Sequence, residues 1–142
     1  MIDMQLSTLA EALDCEITGS GVDCRIGHIT TDSRKVHYGV LFAALRGAKS
    51  DGHDFAESAM EFGATALLLE RPLPINLPQL IVPDVIKALG VLAGFLRRAV
   101  DPVVVGITGS NGKTTVKEMV AEIVRRKGSV LPTLGNFNNE LI

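Results

Sequence analysis

Apolar and polar positions fall into blocks of strand length and helix length that alternate along the chain. Ile26 to Thr31 is rich in β-branched residues and ends at Asp32-Ser33-Arg34, which predicts a strand running out into a loop. Val40-Leu41-Phe42-Ala43-Ala44-Leu45 is a continuous apolar run ending near Gly47, the pattern of a strand buried on both faces. Thr65 to Leu69 and Leu80-Ile81-Val82 read as two further strands. Between them, Thr8-Leu9-Ala10-Glu11 can form a capping box for a short first helix. Asp54 can cap a helix through Phe62 that Gly63 stops. Asp84 can cap a third helix, with Leu89, Leu92, Ala93 and Leu96 at helical spacing.

Asp101-Pro102 breaks this pattern, because proline disfavours helix at the residue before it. A domain boundary is expected there, dividing the chain into residues 1–100 and 101–142. Val103 to Thr108 then reads as a buried parallel strand. A glycine-rich turn follows it. Thr114 to Lys127 reads as a helix with Val116, Met119, Val120 and Ile123 on one face, stopped by Gly128, and Ser129 to Thr133 starts another strand. The fold class is α/β, with the second part a single β-loop-α-β unit. One such unit cannot complete a doubly wound sheet, so this domain is expected to continue in sequence beyond Ile142.

Composition narrows the function classes. Of 142 residues, 46% are hydrophobic and 21% charged, enough apolar material for a real core and against disorder. A net charge of −2 argues against a nucleic-acid binder that works by a general basic surface, and is compatible with a monomer. No apolar run reaches the roughly 18 residues of a membrane span. The start Met1-Ile2-Asp3 lacks the basic and apolar regions of a secretory signal. Cys15 and Cys24 form no CxxC pair and read as two reduced thiols of a cytoplasmic protein.

The most informative stretch is Gly109-Ser110-Asn111-Gly112-Lys113-Thr114-Thr115, between the expected strand and the expected helix. A phosphate held there meets backbone N–H groups and the positive end of the helix dipole. Gly109 and Gly112 let the backbone approach closely. Lys113 can reach the β- and γ-phosphates as a point charge, the Thr114 hydroxyl can ligate Mg²⁺, and Thr115 can add a phosphate hydrogen bond. The strict G-x-x-x-x-G-K-[ST] pattern is not met, since position 107 is Ile107 and the glycine falls at 109. The alternative is a glycine-rich turn with an exposed lysine. A dinucleotide site is disfavoured because G-x-G-x-x-G is absent. A phosphate loop implies a nucleoside triphosphate and does not name the acceptor. The second metal ligand and the group that positions the nucleophile cannot be assigned within these residues.

Three segments together resemble the Mur ligase family, the ATP-dependent amide ligases of peptidoglycan synthesis. They are Thr30-Thr31-Asp32-Ser33-Arg34-Lys35-Val36 with Gly39 to Gly47, Asp51-Gly52-His53-Asp54-Phe55 with Ala59 and Gly63-Ala64, and Gly106 to Met119. The glycine spacing of the loop is similar to the family's own form. Lys117-Glu118-Met119 and Gly135-Asn136-Phe137-Asn138-Asn139-Glu140 resemble the branch that adds D-Ala-D-Ala to UDP-MurNAc-tripeptide. After Glu140 the family usually continues with an Ile-Gly-Val-Pro type sequence, where this chain has Leu141-Ile142.

The resemblance implies a UDP-sugar-binding domain over 1–100 and the opening of a P-loop ATPase domain over 101–142. It implies ATP and Mg²⁺ as cofactors, and UDP-MurNAc-tripeptide and D-Ala-D-Ala as substrates joined through an acyl phosphate. The remaining metal ligands, the ATP-base contacts and the D-Ala-D-Ala domain are expected beyond Ile142, so the 142-residue chain alone is expected to be inactive. Ser33 can donate to uracil or ribose and Arg34 can pair with a diphosphate; the alternative is that Asp32 and Arg34 brace a turn. Ala48, Lys49 and Ser50 fall, by resemblance, in the loop lining the uridine pocket, against a plain surface loop. Asn136, Asn138 and Asn139 are read as muramoyl-peptide or ATP-metal contacts, against a turn. Asp51-Gly52-His53-Asp54 matches no metal-ligand spacing and is read as a turn with a helix cap at Asp54. His28 and His37 are read as structural or exposed. The competing functions are a non-catalytic UDP-sugar-binding module, the ligase adding the third stem-peptide residue, and a folylpolyglutamate-synthase-type relative. Folate enzymes of that type lack the Asp32-Ser33-Arg34 domain.

Overall fold

The computed structural model describes residues 3–20, 23–47 and 50–133. It divides into two compact units, Met1–Ala99 and Val100–Ile142.

The first unit is built on a five-stranded mixed sheet. Its strands, in chain order, are β2 (Ile17–Gly19), β4 (His28–Thr30), β5 (Val40–Ala43), β6 (Ala66–Leu69) and β7 (Pro78–Ile81), in spatial order β2-β7-β6-β5-β4. β4 to β7 run parallel, and β2 closes one edge antiparallel to β7. Two short strands, β1 (Met4–Gln5) and β3 (Arg25–Ile26), pair antiparallel beside it. The helices are α1 (Leu6–Ala12), α2 (Ala56–Glu61) and α3 (Val85–Val100).

The two-residue period of the central strands sorts their side chains between two cores. Leu41, Ala43, Ala66, Leu68 and Leu80 pack with Leu6 and Leu9 of α1 and Val85, Ala88 and Leu92 of α3. Val40, Phe42, Leu67 and Leu69 pack on the other face with Ala56 and Ala59 of α2. Helices therefore cover both faces, and every residue of β5 and β6 is buried. The continuous apolar runs of the sequence have this physical cause.

Several elements differ from expectation at their ends. The expected strand Ile26–Thr31 is two strands in two sheets. Its break is at Gly27, whose N–H donates to the Gly39 carbonyl at 2.7 Å. The first helix starts at Leu6, ahead of the expected capping box at Thr8. Its first donors are met across the chain: Leu6 N–H by the Cys24 carbonyl at 2.8 Å, and Ser7 N–H by the Asp23 carboxylate at 2.9 Å. The cap before α2 is Asp51, not Asp54: it accepts from His53 N–H and opens a 3-10 turn over Gly52–Phe55 that runs into the helix. Asp84 caps α3 as expected, accepting from Lys87 N–H at 3.0 Å.

In the second unit, α4 (Lys113–Arg125) is the one regular element among the described residues. The strand expected over Val103 to Thr108 does not form there, nor does the one from Ser129 to Thr133. Val103 is 96% exposed, and Val104 and Val105 are also open to solvent. A buried parallel strand needs a neighbour to take its hydrogen bonds and layers to cover its faces. No described segment supplies either. Val116, Met119 and Ile123 of α4 are exposed for the same reason.

Candidate functional site

The phosphate-loop candidate lies at the start of α4. Gly112 has φ +75° and sits directly before the helix, and Gly109 has φ +151°. Both lie where a side chain strains the backbone, so the glycine spacing follows from the shape of the turn. The first intrahelical bond runs from Val116 N–H to the Gly112 carbonyl at 2.9 Å, which puts the positive helix end at the turn. Lys113 folds back so that its ammonium donates to the Gly109 carbonyl, spanning the loop. Ser110, Asn111, Thr114 and Thr115 are exposed around it. Lys117 reaches the Thr133 carbonyl at 2.5 Å and pairs with Glu118 at 3.2 Å. Two positive-φ glycines, the helix dipole and a lysine thus meet at one exposed turn, which suits a polyphosphate.

In the first unit, the candidate residues gather where the parallel strands end, the edge at which open α/β sheets bind ligands. β4 leads into Asp32, whose carboxylate organises the exit. Its Oδ1 accepts from Arg34 N–H at 3.1 Å and Arg34 Nε at 2.9 Å, and its Oδ2 from Nη2 at 2.9 Å. These Arg34 bonds, side chain first and backbone next, lower the Asp32 pKa to about 2. Bracing of the turn is therefore real, and it orients the guanidinium. The rest of the Arg34 fork stays exposed. Ser33, half-buried in the same turn, accepts from Val36 N–H through its carbonyl at 3.4 Å.

β5 leads to Arg46, which forms an antiparallel bridge with Asp51. Beside the bridge, Gly47 N–H donates to the Ser50 carbonyl at 2.9 Å, and Gly52 N–H to the Leu45 carbonyl at 2.7 Å. Ser50 is exposed at this turn. The expected contacts Ala48 and Lys49 lie outside the described residues, as do Asn136, Asn138 and Asn139.

The Asp51–Asp54 segment was read as a turn alone; the structure joins Arg46, Glu70 and Arg71 to it. His53 is 4% exposed. Its Nδ1 faces Asp51 Oδ1 at 2.6 Å, and its Nε2 accepts from Glu70 N–H at 3.0 Å. That acceptor role fixes the proton on Nδ1 and occupies both ring nitrogens, so His53 is no metal ligand in this arrangement. Asp51 also accepts from Arg71 Nη1 at 3.0 Å, and Arg46 lies between Asp51 and Glu70 at 3.8 and 3.5 Å. The His53 backbone and ring, with Arg71 after them, hold the Asp51 carboxyl well below the usual carboxylate range. The available signal was positional: Arg46, Glu70 and Arg71 are charged residues just after buried apolar runs, where strands exit.

The family model of the Mur ligase catalytic domain matches residues 25–127. The chain belongs to the Mur ligase family. It is 49% identical, over 99% of its length, to the UDP-N-acetylmuramoyl-tripeptide–D-alanyl-D-alanine ligase of Escherichia coli strain K12, and covers 31% of that protein. The fold is similar to a D-alanyl-D-alanyl ligase structure from Acinetobacter baumannii, with TM-score 0.88 and 34% identity, covering 99% of this chain and 32% of that one. It is also similar to a MurF ligase from Thermotoga maritima solved in complex with ADP, with TM-score 0.70 and 36% identity, covering 80% of this chain and 27% of that one. This Mur ligase chain spans about a third of the length of the relatives it matches.

Proposed function

We propose that the chain carries the UDP-sugar-binding domain (1–100) and the opening of the ATPase domain (101–142) of a cytoplasmic, monomeric ligase. That ligase joins D-Ala-D-Ala to UDP-MurNAc-tripeptide in peptidoglycan synthesis. The observation that carries the reading is the Gly109–Thr115 turn, where Lys113 spans a loop of two positive-φ glycines at a helix N-terminus. The similarity to a relative that adds D-alanyl-D-alanine supplies the substrate. Among the described residues no helix is long and apolar enough to cross a membrane.

The chemistry starts from the poor reactivity of a carboxylate. Attack of the tripeptide's terminal carboxylate on the γ-phosphorus of ATP breaks the β–γ phosphoanhydride bond and gives ADP and an acyl phosphate with a good leaving group. The D-Ala-D-Ala amine attacks it, and phosphate departs. The protein's share is positioning and charge neutralisation. Gly109, Ser110, Asn111, Gly112 and Thr115 cradle the phosphates. Lys113 holds the β- and γ-phosphates and offsets charge that builds up on transfer.

The Thr114 hydroxyl fits Mg²⁺ as a single oxygen ligand, in keeping with an ion held mostly by phosphate oxygens and water. Among the described residues no group of three or more His, Cys, Asp or Glu side chains could hold a metal by itself. Held there, the ion would supply charge neutralisation at the transferring phosphate. Ser33, Arg34, Ala48, Lys49 and Ser50 are assigned to the UDP-sugar, and Asn136, Asn138 and Asn139 to the muramoyl-peptide or nucleotide side.

Ligation assayed in the whole protein with ATP, UDP-MurNAc-tripeptide and D-Ala-D-Ala tests this. Lys113→Ala is expected to lower kcat by at least about 10²–10³-fold, the loss typical of removing one charge-stabilising group. Turnover close to wild type excludes Lys113 from phosphate stabilisation.

A further inference from the structure

His28 and His37 stand at the end of the sheet opposite Asp32. His28 opens β4, and His37 opens the turn that leads into β5. Val40 N–H donates to the His37 carbonyl at 3.2 Å and closes that turn, with Gly39 at φ +85° inside it. The turn is bonded to its neighbours on both sides. The Gly39 carbonyl accepts from Gly27 N–H at 2.7 Å and His28 N–H at 3.3 Å, and Gly39 N–H donates to the Thr65 hydroxyl at 2.7 Å. The two histidines therefore project from one hydrogen-bonded frame. Both are exposed, and their ring centres are 5.4 Å apart, edge to face at 79°.

Each ring has a nitrogen to offer. His37 Nδ1 lies 3.0 Å from the Tyr38 carbonyl, which can only accept, so Nδ1 carries the proton and Nε2 keeps its lone pair. A backbone carbonyl on the other nitrogen is a usual support of a metal-binding imidazole. The His28 ring makes no hydrogen bond among the described residues, so either of its nitrogens can serve. Distance decides whether one ion can reach both rings. A nitrogen bound at about 2.0–2.1 Å puts the ring centre about 3.2 Å from the ion, so two imidazoles at a tetrahedral angle have centres about 5.2 Å apart. The observed separation of 5.4 Å is close to that. In the edge-to-face arrangement one ring must turn about its Cβ–Cγ bond for both nitrogens to face one ion. That rotation hardly moves the ring centre and is open to exposed side chains.

We propose that His28 and His37 form a binding site for one divalent transition-metal ion, zinc, nickel or copper, with water completing its coordination. Imidazole nitrogen suits these ions. The pair offers no carboxylate, so Mg²⁺, which takes oxygen ligands, is not its ion. The site therefore differs in chemistry from the one assigned to Thr114, and it lies in the other compact unit.

The test is calorimetric titration of Zn²⁺ into the whole protein, untagged and free of nucleotide. Wild type is compared with His28→Gln, His37→Gln and the double variant. Each single variant is expected to lose one zinc equivalent, and the double variant the same one, because both rings hold a single ion. Mg²⁺ titrated in the same way is expected to show no difference among the four proteins. A second measurement needs no variant. Diethyl pyrocarbonate acylates imidazole nitrogens, and peptide mass spectrometry reads the modification of each histidine in the wild-type protein. Zn²⁺ is expected to slow the modification of both His28 and His37, and Mg²⁺ to leave it unchanged. Unchanged zinc stoichiometry in either single variant, losses that add in the double variant, or modification that zinc does not slow overturns the site.

Discussion

Gln79 is 2% exposed and satisfies three backbone groups at once. Its Nε2 donates to the carbonyls of Leu73 at 2.7 Å and Ile75 at 3.1 Å, and its Oε1 accepts from Leu73 N–H at 3.0 Å. Gln79→Leu keeps the volume but takes the acceptor from Leu73 N–H and leaves the Leu73 and Ile75 carbonyls with one backbone donor each, Ile75 N–H and Leu77 N–H. A loss of about 2 kcal/mol is expected, read from urea unfolding; an unchanged midpoint contradicts it. Asp32 makes the stability of its turn depend on pH. Its folded pKa is lowered to about 2, below the ordinary carboxylate value, so its contribution to stability is complete above about pH 4 and is lost as pH falls through about 2. The stability gap between wild type and Asp32→Asn should therefore close between those pH values in thermal melts. A gap that stays constant from pH 6 to 2 contradicts the assignment. The Arg34 guanidinium braces the turn through Asp32 and keeps donors exposed at the edge of the sheet.

Among the elements, burial on both faces is what made β5, β6 and β7 legible, because an apolar run is the direct trace of a covered parallel strand. Leu68 belongs to that class: fully buried between β7 and the α1–α3 side of the core. Leu68→Ala should cost about 3 kcal/mol by denaturant unfolding, and a loss under about 1 kcal/mol contradicts the packing described. β1 and β2 were not legible, being two and three residues long, at an edge and largely exposed, so they leave no apolar period. The capping of α1 was missed because its acceptors, Asp23 and the Cys24 carbonyl, lie far along the chain. The phosphate-loop candidate was legible because its signal is contiguous: glycines at the two positive-φ positions and a lysine beside them. The group around Asp51 was not, because Arg46, Asp51, His53, Glu70 and Arg71 come from three separate stretches. Val103–Thr108 reads as a strand by composition, yet pairing is a property of neighbours and none is described.

For the whole molecule, the boundary between the two compact units falls between Ala99 and Val100. Beyond it, Asp101 to Gly106 is exposed and has no regular structure. Thermolysin, which cuts before aliphatic residues, should make its first cut at Val103, Val104 or Val105. A first cut inside the β4–β7 sheet contradicts this division. The central claim is that UDP-sugar and nucleotide are taken by different units of one Mur ligase chain. The most direct test is to titrate the whole protein, as wild type and as Lys113→Ala, separately with UDP-MurNAc-tripeptide and with ADP. The account predicts that Lys113→Ala loses ADP binding and keeps its affinity for UDP-MurNAc-tripeptide. Equal loss of both ligands, or ADP binding that survives the substitution, contradicts it.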